Sequence, residues 1–206
     1  MPKVSAEHLA ARRQQILDAA LICFDRSGFH RSSMQDIFDQ SGLSAGAVYR
    51  YFASKDDIIE AIAEQRHTRE AELIAEAVAV SDPRQALHRL ADLFFGWLAD
   101  PDEQRRRRVG VQVWAEAVQH DRLRSVVQRG TDQRLLLTGF LQDAQRAGLL
   151  SPDADPEAIT RVYLALFQGF ILQLAWEPGI DIDPYLRAVH ALIDATVVTG
   201  EIPHQD

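Results

Sequence analysis

The chain has 206 residues, 47% apolar and 25% charged, the make-up of an ordinary globular protein of one domain, or of a small domain fused to a larger one. No apolar run approaches the roughly 20 residues that span a bilayer, the N-terminus has no apolar signal core, and the single cysteine, Cys23, excludes an intrachain disulfide. These features predict a cytoplasmic chain with no membrane partner. The net charge of −8 argues on average against nucleic acid. Residues 1–55, however, carry seven basic and five acidic side chains, a net +2. The N-terminal segment therefore has a different partner from the acidic body.

In chain order, Ile16, Leu17, Ala20, Leu21 and Phe24 lie on one face of a helix over about 6–27, and Gly28 stops it. Cys23 reads as a core residue of that helix. Ser32 or Ser33 caps a short helix over 34–40, and Ser44 caps another over 45–52, with a turn around Gly42-Leu43-Ser44 between them. Ser54 begins a fourth helix, with Asp57 in the capping-box position, running to about residue 80. Asp82-Pro83 opens a helix with a stripe of Leu87, Leu90, Phe94 and Leu98. Asp100-Pro101 opens the next, in which Gly110 is a potential break or kink. A further helix covers about 131–147. Asp155-Pro156 opens a long helix bearing Ile159, Val162, Tyr163, Leu166, Phe167, Phe170, Ile171 and Leu174, and Glu177-Pro178-Gly179 ends it. Asp183-Pro184 opens the last helix, which stops at Gly200 and bears Leu186, Val189, Ile193 and Val197 on one side and Tyr185, Leu192 and Thr196 near another. No alternating strand of useful length occurs, so the fold class is all-α.

Two short helices joined by a glycine-containing turn describe a helix-turn-helix. On the second of them, Val48 and Phe52 form a narrow apolar anchor. Gly46, Ala47 and Arg50 lie opposite, and Tyr49 and Tyr51 flank the seam. Small residues let a helix approach the major-groove floor, and arginine pairs two-pronged with guanine O6 and N7. Hydroxyls of Ser33, Ser44, Tyr49 and Tyr51 suit phosphate oxygens. Lys55 begins the fourth helix, where its charge and the free amides favour phosphate. Taken singly, Tyr49 is explained by packing on the first helix, Arg50 by solvation, and Lys55 is no evidence at all.

The stretch "RQQILDAALICFDRSGFHRSSMQDIFDQSGLSAGAVYRYFASKDDII" resembles the DNA-binding domain of the tetracycline-repressor (TetR-type) family. The matching residues are Ile16, Leu17, Ala20, Phe24, Gly28, Ser33, Ile37, Gly42, Leu43, Ser44, Gly46, Tyr49, Tyr51, Phe52 and Lys55. The stretch "VWAEAVQHDRLRSVV" is similar to effector domains of a broad subgroup of that family. The resemblance implies an N-terminal three-helix helix-turn-helix DNA-binding domain (1–55) and a larger C-terminal helical effector-binding and dimerisation domain (56–206), about nine helices. It implies a homodimer whose recognition helices enter successive major grooves of a palindromic, double-stranded DNA operator. The expected activity is that of a repressor released by a small, largely apolar effector. Ala45, Gly46, Ala47 and Arg50 would face bases, and Ser33, Ser44, Tyr49, Tyr51 and Lys55 the backbone. Three positions depart from the family pattern. Ala45 stands where polar or basic residues are frequent, Phe38 where a small alanine is usual, and Tyr51 where histidine is frequent.

The last two long helices, near 156–176 and 184–199, are apolar around much of their girth, which requires two partners. A second copy of the chain is the expected second partner. For the effector, Trp114, Phe167 and Phe170 with the polar His88, Gln112 and Glu116 are the candidate contacts, although an aromatic stripe at helical spacing also builds a core. Arg105–Arg108 reads as a solvated face or as a greeting for an anionic ligand. No HExxH, phosphate loop or Gly-x-Ser-x-Gly elbow occurs. The seven histidines lack metal-ligand spacing. No enzyme, cofactor or metal is expected. The alternative is a small-molecule-binding or catalytic helical protein with a non-functional DNA head.

Overall fold

The computed structural model describes residues 6–100, 103–132 and 134–196. Ten helices are described: α1 (Ala6–Ser27), α2 (Met34–Ser41), α3 (Ala45–Tyr49), α4 (Lys55–Ala77), α5 (Pro83–Ala99), α6 (Glu103–Ala117), α7 (Asp121–Asp132), α8 (Arg134–Arg146), α9 (Pro156–Trp176) and α10 (Ile182–Thr196). Among the described residues there is no strand. The expected end of the last helix at Gly200, and Val197, lie outside the described residues.

The chain forms two compact units. The first holds residues up to Arg66 with Gln104–Gly130, and the second holds His67–Glu103 with the chain from Thr131 onward. The packing boundary therefore runs through α4, and α6 and α7 join the N-terminal helices. It does not coincide with the expected functional boundary after residue 55.

In the first unit the apolar face of α1 (Ile16, Leu17, Ala20, Leu21, Phe24) is almost wholly buried with Ile37, Val48, Phe52, Ile58, Ile59, Val109, Val113 and Leu123. Cys23 is buried there too, and burial raises its thiol pKa. Gly110 neither breaks nor ends α6. A Cβ at that position would stand 3.4 Å from a guanidinium nitrogen of Arg66, the end of a flexible side chain. The following helix α7 has no counterpart in the sequence reading, because only Leu123 and Val126 on it are deeply buried. Two such positions are too few to make a stripe.

The arginine run is partly exposed, and three of its members pair with carboxylates of α1. Arg108 holds Asp25 of α1 with two hydrogen bonds of 2.6 and 2.7 Å, Arg105 lies 3.6 Å from the same carboxylate and Arg106 3.6 Å from Asp18. Arg107 is buried. The run docks α6 on α1, in part through fork-to-carboxylate pairing.

In the second unit α5 packs on α10, and α9 on α8. Their apolar stripes meet in a cluster of rings. Phe95 lies 5.1 Å from Phe170, Phe94 stacks on Phe167 at 4.4 Å, and Tyr185 stands 4.0 Å from Phe170. By length and composition, α9 is apolar enough to cross a membrane, with a mean hydropathy of 1.4 over 18 residues. The apolar residues do not form an unbroken run, since Arg161, Gln168 and Gln173 interrupt them along the helix. Only 33% of that window is buried. Val162 and Trp176 of α9 and Leu192 of α10 are exposed, at 58%, 74% and 48%. Tyr185 belongs to the packed side of α10, with its hydroxyl donating to Leu166 O at 3.3 Å.

Candidate nucleic-acid interface

The helix-turn-helix is built on α1. Gln15 Nε2 donates to Ser41 O at 2.7 Å and so fixes the end of α2. Gly42 then takes a left-handed conformation (φ 67°), which a side chain would oppose. Ser44 caps α3, its hydroxyl oxygen accepting from Ala47 N at 3.3 Å. Val48 is fully buried and Phe52 nearly so, which anchors α3 by one narrow side. Ala45, Gly46, Tyr49 and Arg50 are exposed and Ala47 half-buried. A Cβ on Gly46 would meet nothing within 4 Å, so internal packing does not demand the glycine. The helix proper is shorter than the expected 45–52. Arg50 keeps helical angles as its C-cap, and Tyr51 N donates to Val48 O at 2.9 Å in a tightened last turn.

The flanking residues divide. Tyr49 is 52% exposed, and its ring meets Phe38 edge-on at 5.4 Å. Phe38, the departure from a small alanine, is thus the buried support of Tyr49. Tyr51 is half-buried against the core. The Ser33 hydroxyl accepts from Asp36 N and the Asp36 carboxylate accepts in return from Ser33 N at 2.8 Å, a complete capping box, and the Ser33 hydroxyl also donates to Asp36 Oδ2 at 2.7 Å. These bonds hold the Asp36 carboxyl below its usual pKa. Lys55 Nζ donates to the carbonyls of Phe29 at 2.5 Å and Ser32 at 2.9 Å, approaches that of His30 at 3.4 Å, and sits 4.4 Å from the Phe29 ring centre. Burial pulls its pKa below the lysine value. It clamps the turn between α1 and α2.

Two family models match this chain: bacterial regulatory proteins of the tetR family over residues 16–62, and the C-terminal region of BetI-type transcriptional repressors over 83–198. The HTH-type transcriptional repressor Rv1474c of Mycobacterium tuberculosis is 31% identical over 187 residues, which cover 85% of this chain and 88% of that one. The chain belongs to the tetR family. It is a DNA-binding transcriptional regulator. Solved structures share the fold. The SmeT–triclosan complex superposes with a TM-score of 0.77 at 23% identity, covering 95% of this chain and 99% of that one. A Saccharomonospora viridis regulator in complex with choline gives 0.73 at 24%, covering 92% and 98%.

The six effector candidates of this tetR-family chain fall in both compact units. Trp114, Gln112 and Glu116 belong to the first unit, and His88, Phe167 and Phe170 to the second. Gln112 Oε1 accepts from Phe29 N at 3.1 Å and its Nε2 donates to Phe24 O at 3.4 Å, tying α6 to the end of α1. The Trp114 ring lies under the Arg66 guanidinium at 5.8 Å. His88 Nε2 lies 2.9 Å from Asp194, with its ring 4.5 Å from that of His190. Phe170 is fully buried and Phe167 nearly so. One constellation escaped the sequence reading altogether: His30, Glu116 and His120 come together. Glu116 and His120 are four apart, a readable signal, but His30 is distant in the chain and joins only through the fold.

Proposed function

We propose that this regulator is a homodimeric, cytoplasmic repressor, and not an enzyme, that grips a palindromic operator and releases it on binding a small, largely apolar effector. The observation that carries the DNA reading is the free face of α3, held by Val48 and Phe52 while Gly46, Ala45 and Arg50 stand clear of the chain. Arg50 reads a guanine, Ala45, Gly46 and Ala47 allow close approach, and Ser44 and Tyr49 contact phosphates. Ser33 and Lys55 act through the α1–α2 turn and the α2 cap. Tyr51 adds its hydroxyl at the margin.

The uncovered apolar sides of α9 and α10, with Val162, Trp176 and Leu192, support pairing with a second copy. The ring cluster of α5, α9 and α10 supports an apolar effector, which would enter by opening the Phe94–Phe167 stack. Because α4 belongs to both compact units and starts at Lys55, an effector in the second unit moves the clamp on the α1–α2 turn. A matched dimer needs half-sites about 34–36 Å apart or a multiple of that, so a small shift weakens binding.

Selection of bound fragments from genomic DNA tests the reading. The expected product is a palindrome with that spacing. A dimer that selects no palindrome would support the helical binding or catalytic body with a non-functional DNA head.

A further inference from the structure

His30 lies in the turn between α1 and α2, Glu116 in the last turn of α6, and His120 just before α7. His30 Nε2 stands 2.7 Å from Glu116 Oε2, and His120 Nε2 stands 3.5 Å from the same oxygen. All three ligand atoms lie within 4.8 Å of one another. The backbone holds Glu116 and His120 in register, since His120 N donates to Glu116 O at 3.0 Å. Both imidazoles are mostly exposed, at 65% and 56%, while the carboxylate is 21% exposed, so the cluster has a solid floor and an open mouth.

We propose that His30, Glu116 and His120 form a binding site for a borderline divalent transition-metal ion, with Zn²⁺ the best match. Two imidazole nitrogens and one carboxylate oxygen are the ligand types such ions select, whereas Ca²⁺ and Mg²⁺ require oxygen sets. Tetrahedral zinc with ligands about 2.0–2.1 Å away places those ligands about 3.3–3.4 Å from each other. The observed 2.7 and 3.5 Å from Glu116 Oε2 bracket that spacing and the two imidazole nitrogens lie within 4.8 Å of each other, so the three groups can close on one ion by turning their side chains. Solvent supplies the fourth ligand through the open mouth. Lys55, whose charge acts on Glu116, opposes the dication and limits its affinity. The bound ion cross-links the turn that precedes the Ser33 cap to the α6–α7 junction, and so stabilises the first unit by mass action.

The test uses the full chain, stripped with chelator and titrated with Zn²⁺ and separately with Co²⁺ at neutral pH. The expected result is one equivalent of Zn²⁺ bound, a melting temperature raised by several degrees, and a visible Co²⁺ absorption band of a low-coordinate N/O site. His30→Ala and His120→Ala, each folded by circular dichroism, should lose the band and the thermal shift, while His88→Ala keeps both. Absence of band and shift in the wild type would overturn the site. So would retention of both in His30→Ala and His120→Ala.

Discussion

Arg50 is the one long charged side chain on α3 and its cap, flanked by Tyr49 and Tyr51 and one turn from Gly46 and Ala47. Arg50→Ala should cost about 1–3 kcal/mol against the preferred base pair and relax preference at that single position. Binding to operators altered one base pair at a time measures it. An even loss on every sequence would make Arg50 a phosphate contact. Lys55 is the opposite case, because its protons already go to the carbonyls of Phe29 and Ser32. Lys55→Met keeps the apolar stem and removes the donor. Hydrogen bonds to charged groups contribute about 1.5–3 kcal/mol, and partial exposure places this loss near the lower figure. The expected outcome is a lower melting temperature and weaker operator binding with an unchanged salt slope. A slope reduced by about one would restore the phosphate contact. Residue type and position made Arg50 legible in the sequence. The Lys55 clamp was not legible, since its partners are main-chain carbonyls that any sequence supplies.

The attachment of α6 to α1 shows what one element needs. Besides Val109 and Val113, α6 is held by the Arg108 fork on Asp25, which keeps that carboxyl below its ordinary pKa. A depressed folded pKa means that the pair stabilises the fold above the unfolded value of about 3.9 and loses that contribution as pH falls through the lower folded value. Stability of the wild type should therefore drop below about pH 4. Asp25→Asn should lower stability at neutral pH by about 1–3 kcal/mol and flatten that acid dependence, as denaturant melts at pH 7 and pH 3 would show. Equal stability of the two chains at pH 7 would mean that the fork contributes nothing. A run of four arginines reads as a solvated face because sequence separation hides Asp18 and Asp25, some 80 residues earlier, as its counter-charges.

At the scale of the whole molecule, the paired copies that a palindrome demands depend on α9 and α10. Val162→Glu together with Leu192→Glu places charges on their exposed apolar sides, at positions 58% and 48% accessible, without touching the buried Phe170 or Ile193. The double variant should sediment as a monomer and bind the operator more than about tenfold more weakly, because one head no longer raises the effective concentration of the other. A dimer of unchanged affinity would place the interface elsewhere.

The sequence by itself determined the all-α class, the order and start of most helices, and the helix-turn-helix with its anchor residues. These follow from local rules: caps, prolines at first turns, and the 3.6-residue spacing of apolar side chains. Only the tertiary structure decided that α6 and α7 pack with the N-terminal helices, that Gln112 and Lys55 serve the α1–α2 turn, that the effector candidates divide between two units, and that His30 meets Glu116 and His120. Those outcomes depend on contacts between residues tens of positions apart, which local periodicity does not encode.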